Sequence, residues 1–209
     1  MIGAILAGGE SRRMGRDKAF LPFGATTLVE RVAARLREAC ADVLVVANNP
    51  EPYEALGLRT VPDALPERRS LVGIYTAVRH AGGPAFVCGC DMPFLCAALI
   101  RHMGDLSRSA DVVIPRVRDY EPLHAVYTPA CLEPIIRVLA AGGRNADVLR
   151  EVRTRVLDAD ELRRFDPDLQ SILNLNTPDE YEAALARIAP GPRIERGRPA
   201  PSPESTGTS

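Results

Sequence analysis

Between residues 4 and 20 the chain reads AILAGGESRRMGRDKAF, a stretch dense in groups able to bind an anion. A short apolar run passes directly into Gly8 and Gly9, where backbone N–H groups can approach a ligand that a β-carbon would hold away. Arg12, Arg13 and Lys18 follow: two fork-shaped guanidiniums and one point-like ammonium, a set suited to a polyphosphate. The order G-G-x-S-R-R-M-G-x-D-K lacks the G-K-[ST] ending of a P-loop and does not fit G-x-G-x-x-G, so neither an ordinary ATPase loop nor a dinucleotide fingerprint is indicated. A solvated turn is the plainer reading of a glycine pair alone; the whole cluster favours phosphate binding.

Other candidate positions are single residues near strand ends. Asp91 follows AFVCGC, and a carboxylate there suits Mg²⁺, which takes one or two carboxylates together with substrate phosphates and water. The same residue could instead cap a helix over FLCAALIRHM. Asp63 ends TVPD as either a ligand contact or a turn residue. Asn174 and Asn176 flank Leu175 at period two, so their carboxamides share one face of an extended strand, with local turn bonding as the alternative. His124 in PLHAVY is either a packed imidazole or an acceptor contact. Arg144 and Asn145, after AAGG, could bind an acceptor or simply start a helix. Cys88 and Cys90 share a strand face but lack the second ligand pair of a zinc site, so they read as small buried residues.

The elements that must position these groups alternate. Strand candidates IGAILA, DVLVVAN, LRTVPD, AFVCGCD, ADVVIPR and LHAVYT are separated by helical patterns in TTLVERVAARLREA, LVGIYTAVRHA and CLEPIIRVLAA. That alternation predicts a single α/β domain, a Rossmann-like, mostly parallel sheet with helices on both faces. In such a sheet, ligands collect at the carboxyl ends of the strands, where the Gly8-Gly9 segment emerges. RTRVLDADEL reads as a strand and turn, and Thr177 is placed to cap a helix opened by Pro178. The domain is expected to span residues 1–189. Residues 190–209, rich in proline, glycine and serine, read as a disordered tail.

Composition narrows the function classes. The formal net charge is −1, so general nucleic-acid binding is not expected and any anion site must be local. Five cysteines, an odd number in mostly apolar runs, argue against a disulfide framework and for a reducing, cytoplasmic setting. The opening MIGAILAGGE turns to glycine and charge too early for a signal peptide or membrane span. No histidine has a clear triad partner in the sequence.

The stretch LAGGESRRMGRDKAFLPFG resembles the signature loop of nucleotidyltransferases with a nucleoside-triphosphate-binding Rossmann-like fold, and specifically that of the molybdenum cofactor guanylyltransferases. The resemblance runs on through VPD at 61–63, LVGI at 71–74, CDMPF at 90–94, EPLHAVY at 121–127 and LNLNTPDEY at 173–181, covering most of residues 1–189. It implies transfer of GMP from GTP to the terminal phosphate of molybdopterin, with release of pyrophosphate and Mg²⁺ as cofactor. As partners it implies molybdoenzymes or other cofactor-biosynthesis proteins. It further implies that Asp91 is the metal ligand and Asp63 a guanosine contact. Main chain from Leu6 through Ala7 to Gly8 would form the base-pocket wall, with Gly9 in the same loop. Lys18 would act near the α-phosphate, with Arg12 and Arg13 on the β- and γ-phosphates. Asn174 and Asn176 would lie beside metal and acceptor, and His124 and Arg144 on the acceptor side. An acceptor phosphate with a second pKa near 6 is largely ionised at neutral pH, so the transfer needs no dedicated general base.

The chain departs from the family pattern at Arg69-Ser70, where Gly-Pro often precedes L-x-G. It departs again at Val46, with Asn48 two residues on, where an asparagine often follows the apolar run. Both positions bear on the nucleoside contacts. The neighbouring readings are a molybdopterin cytidylyltransferase, a sugar-phosphate nucleotidyltransferase, or a nucleotide-binding regulatory protein without turnover.

Overall fold

Short β-branched runs form the strands of a central sheet: β1 (Ile2–Leu6), β4 (Asp42–Val46), β5 (Arg59–Val61), β6 (Ala85–Gly89), β7 (Val112–Pro115), β8 (His124–Tyr127) and β9 (Thr154–Leu157). The computed structural model describes residues 1–7, 17–67 and 69–188. Strand order is β5-β4-β1-β6-β8-β7-β9. All neighbouring pairs are parallel except those of β8, which runs antiparallel to both β6 and β7. The middle of the sheet is apolar on both faces, as a doubly covered sheet requires: β6 is buried along its whole length.

Helices α1 (Leu28–Arg37), α2 (Glu51–Glu54), α4 (Ala97–Leu106) and α7 (Ala159–Arg163) contribute to one core layer, around Ile5, Val32, Tyr53, Phe86, Leu99 and Leu162. Helices α3 (Ser70–Ala81), α5 (Leu132–Ala140) and α6 (Asn145–Val148) close the other face, around Ala4, Ile74, Val87, Ile135 and Val148. A third, smaller cluster joins the hairpin of β2 (Pro22–Phe23) and β3 (Thr26–Thr27) to α8 (Pro178–Ile188) through Phe23, Leu28, Leu175 and Ala184. It brings the last described helix back to the first segment of the chain.

Local signals account for the helix ends. Thr27 caps α1 with a capping box: Glu30 N–H donates to its side chain while the Glu30 carboxylate accepts from the Thr27 N–H, a reciprocal arrangement that satisfies two orphan donors. Gly82 ends α3 in the left-handed region at φ 63°, a conformation that costs most other residues about 1 kcal/mol or more. Asp91 does not cap the helix after it, because α4 begins six residues later and its N-cap is Cys96. The helix-cap alternative for Asp91 is thereby removed.

The chain order sets where a ligand lies. From β1 the chain moves outward to β4 and β5, then returns to place β6 on the opposite side of β1. The order reverses between β1 and β6, and in open α/β sheets the crevice at such a point, beyond the carboxyl ends of the strands, receives the ligand.

Candidate active site at the carboxyl edge of the sheet

Leu6 and Gly89 are register partners at the ends of β1 and β6. The Cys90 N–H donates to the Leu6 carbonyl at 3.3 Å, so the two strands stay paired up to the point where Asp91 leaves the sheet. Opposite Asp91 stands Lys18, on a single 3-10 turn (Lys18–Phe20) whose N-cap is Asp17; the Ala19 N–H donates to the Asp17 Oδ1 at 3.1 Å. Lys18 Nζ donates to Asp91 Oδ2 at 2.7 Å and to Asn176 Oδ1 at 3.3 Å. The two charged side chains are 11% and 19% exposed, well below the exposure at which ion pairs become worthless.

Asn176 reaches this point through two supports. The Leu175 N–H donates to the Asp91 carbonyl at 3.0 Å, and the Glu180 carboxylate accepts from the N–H groups of Asn176 and Thr177 at 2.7 and 2.9 Å. Those two backbone donors hold the Glu180 carboxyl below the usual range. Glu180 N–H in turn donates to the Thr177 hydroxyl at 3.2 Å, so Thr177 caps α8 as its sequence position implies. The Asn174–Asn176 segment differs from the expected strand: it joins no ladder. Its one buried side chain, Leu175, is anchored in the small third core.

Gly89 makes room for the carboxylate. A Cβ at position 89 would lie 2.4 Å from Asp91 Oδ1, so the carboxylate occupies the space that any other residue would fill. The donor set here is hard oxygen: the Asp91 carboxylate and the Asn176 carboxamide. Among the described residues no group of three His, Cys, Asp or Glu side chains could cage a metal ion. One carboxylate with an amide oxygen fits a Mg²⁺ site that is completed by substrate phosphates and water. The neighbouring Cys90 thiol is pushed up to about 12 by burial and then by the Asp91 charge. The fully buried Cys88 is also pushed up, chiefly by burial, and neither offers a thiolate.

Asp63, beyond the end of β5, is clasped to Asn48, beyond the end of β4. Asn48 Nδ2 donates to Asp63 Oδ2 at 2.8 Å, and the Asp63 N–H returns a bond to Asn48 Oδ1 at 2.9 Å. On the same edge Leu6 packs over Gly73 of α3, where an added Cβ would come within 2.8 Å of Leu6 Cδ1. The glycine of LVGI thus permits close approach of helix and strand. Ala7 continues β1, its N–H donating to the Val46 carbonyl at 3.0 Å.

Along the edge, past β8, lies a cavity of about 280 Å³ lined by Ile114, Asp119, Tyr120, Tyr127, Arg144 and Asn145, among others. Asn145 Nδ2 donates to the Ser70 hydroxyl at 3.2 Å, and the Arg69 guanidinium donates to the Gly143 carbonyl. The beginning of α3 is thereby tied to the turn that carries Arg144. His124 lies elsewhere. Its ring is 0% exposed, packs edge-on against Phe86, and has no hydrogen-bond partner at either nitrogen among the described residues. Burial lowers its pKa to about 4, with Asp166 opposing. In this structure a bound acceptor cannot touch that ring; the packed alternative describes it.

The fold therefore brings together Lys18, Asp91 and Asn176, places Leu6, Ala7 and Asp63 along the same edge, and sets Arg144 at the neighbouring cavity. Gly8, Gly9, Arg12, Arg13 and the 190–209 tail lie outside the described residues. Sequence reasoning named Asn48 only as a departure from the family pattern, without its partner Asp63, and missed Glu180, Gly89, Asp17 and Tyr53. Glu180 was open to detection, because T-x-x-E at 177–180 is a capping box. Gly89, two residues before a strand-end carboxylate, gives a fainter signal, and Tyr53 gives none.

A reversing parallel sheet with a lysine–carboxylate pair at its carboxyl edge defines the class, an α/β nucleotidyltransferase domain. Residues 3–156 match the family model described as MobA-like NTP transferase domain, and the chain belongs to that family. A molybdenum cofactor guanylyltransferase from Desulfosudis oleivorans is 41% identical over 91% of this chain and 97% of its own. The crystal structure of molybdopterin-guanine dinucleotide biosynthesis protein A from Archaeoglobus fulgidus superposes with a TM-score of 0.78 at 27% identity, covering 90% of this chain and 98% of its own. A Mycobacterium tuberculosis protein solved in complex with manganese shares the fold, with a TM-score of 0.60 at 17% identity over 88% of this chain and 97% of its own.

Proposed function

We propose that this chain transfers GMP from GTP to the terminal phosphate of molybdopterin, with or without bound molybdenum, forming the guanine dinucleotide cofactor and releasing pyrophosphate. An acceptor phosphate oxygen forms the new bond to the α-phosphorus, and the bond between that phosphorus and the α–β bridging oxygen breaks. The electron pair leaves on pyrophosphate. The observation that carries this reading is the convergence of Lys18, Asp91 and Asn176 at the reversal point of the sheet.

Asp91, with the Asn176 amide oxygen, would hold Mg²⁺, which supplies positive charge to the phosphates when bound. Lys18 has three N–H donors; two point at Asp91 and Asn176, and the third serves an α-phosphate oxygen as charge builds there. Arg12 and Arg13 neutralise the departing β- and γ-phosphates. Asp63, held by Asn48, contacts the guanosine, and main chain from Leu6 through Ala7 to Gly8 forms the wall against the base, with Gly9 beside it in the nucleotide-binding loop. The acceptor lies beside Asn174 and Asn176 and extends toward the cavity at Arg144. Adjacent strands are about 4.8 Å apart, so an acceptor reaching from β6 across β8 to β7 spans about 10 Å.

The identity of the Desulfosudis oleivorans relative supports GTP and molybdopterin as substrates. Free thiols at all five cysteines fit a cytoplasmic setting, and no described helix is long and apolar enough to cross a membrane. Thermal stabilisation by each nucleoside triphosphate with Mg²⁺ tests the reading. GTP at one hundred times its dissociation constant adds about 2.7 kcal/mol of stability. Preference for CTP or UTP would move the chain to a sister activity, and indifference to all four would remove the triphosphate site.

A further inference from the structure

Tyr53 belongs to none of the motifs above and sits on the short helix α2, 2% exposed in the main core. Its hydroxyl lies 3.3 Å from the Ala7 carbonyl and 3.2 Å from Asp17 Oδ2. Ala7 and Asp17 are the two described residues that bracket positions 8–16. One phenol thus meets the chain as it leaves β1 and again where it enters the turn that carries Lys18.

We propose that Tyr53 is a positioning residue for Lys18, acting through Asp17. The Asp17 carboxylate is used at both oxygens: Oδ1 accepts from the Ala19 N–H and so shapes the turn, while Oδ2 accepts from the Tyr53 hydroxyl. Phe20, the last residue of that turn, packs its ring on Tyr53 with centroids 4.9 Å apart. The turn is therefore held at its N-cap and at its last residue by one buried side chain. From it Lys18 extends to Asp91 at 2.7 Å. Rotating the turn by a small angle would carry Nζ out of reach, and misplacement on the ångström scale costs large factors in rate. Burial first, and then the Asp17 charge, push the phenol above its ordinary range, so the hydroxyl remains a donor at all working pH values.

This inference rests on the transfer reading only for its kinetic consequence. The test uses Tyr53→Phe, which keeps the ring and its contact with Phe20 and removes only the hydroxyl. Hydrogen exchange of the full chain should show the Ala19 amide exchanging about fivefold or more faster, with the midpoint of thermal unfolding lowered by only a few degrees. That readout needs no nucleotide, so it stands or falls apart from the transfer reading. In turnover, kcat/KM for the nucleotide should fall about tenfold, while KM for the acceptor stays at its original value. Asp17→Asn, which keeps an accepting oxygen, should retain more turnover than Asp17→Ala. Unchanged Ala19 exchange in Tyr53→Phe would overturn the proposal. So would a loss shared equally by both substrates and proportional to lost stability.

Discussion

Lys18 Nζ and Asp91 Oδ2 lie 2.7 Å apart although 73 positions separate them in the chain. The pair forms because the turn that carries Lys18 comes up to the carboxyl end of β6, where Asp91 leaves the sheet at the point of reversal. Asp91→Asn keeps shape and removes charge, so Mg²⁺-dependent turnover should fall by at least about a hundredfold. The loss of stability should be small beside this, on the order of 1 kcal/mol, which moves the unfolding midpoint about 2–4 °C. Steady-state kinetics with a thermal melt checks both, and near-normal turnover would remove Asp91 from the site.

Gly89→Ala places a methyl where Asp91 Oδ1 now lies. The carboxylate is the free end of its side chain and can rotate away, so stability should hardly change. The same rotation takes the oxygen from its working position. A Mg²⁺ titration of turnover should therefore give a higher half-saturation concentration and a lower ceiling, with an unfolding midpoint close to that of the parent chain. An unaffected titration would show that the carboxylate has no fixed place to lose.

Glu180 holds Asn176 from outside the site by accepting two backbone N–H groups. Glu180→Gln weakens those charge-assisted bonds and should lower turnover a fewfold without changing which nucleotide is preferred. The carboxyl is held below its ordinary value. Its support for the segment is thus complete above the unfolded value near 4.5 and lost as pH falls through the lower folded value. Turnover ratios of the variant and parent chain at pH 7 check the expectation, and equal rates would contradict it.

His124 gives a pH signature of the fold. The neutral ring is buried and its pKa is about 4, against 6.5 when unfolded. The unfolded chain binds this proton first, so the stability involved is intact above pH 6.5 and is lost progressively toward pH 4. The loss over that interval is on the order of 3 kcal/mol. His124→Leu should flatten this part of the acid limb in urea titrations at a series of pH values, and should leave turnover at pH 7.5 within about twofold. A well-folded variant that had lost turnover would bring the ring back to the acceptor.

Much of the architecture was legible in the sequence because burial on both sheet faces writes itself as apolar runs, seen in DVLVVAN and AFVCGCD, and because amphipathic helices separate them. The carboxyl edge, where Lys18, Asp91 and Asn176 meet, was singled out by the parallel sheet together with a glycine pair just after the first strand candidate. What could not be read were the partners supplied by distant elements. Asn48 stood out only as a departure from the family pattern, with nothing to pair it with Asp63, and nothing near Lys18 points to Tyr53. For Asn174 and Asn176, period two set Leu175 on the face opposite the two amides, and Leu175 is the one that is buried, but the period cannot distinguish a paired strand from an extended segment held by one backbone bond to Asp91. His124 shows the same limit: a histidine at a strand start reads alike whether it faces a ligand or Phe86.

The central claim is tested most directly by pyrophosphate release from the purified chain with Mg²⁺ and molybdopterin, supplied in turn with GTP, CTP, ATP and UTP. The account predicts stoichiometric pyrophosphate and guanine dinucleotide with GTP, abolished by chelation of the metal and by Asp91→Asn. Release with CTP in preference to GTP, or none with GTP when acceptor and metal are both present, would contradict it.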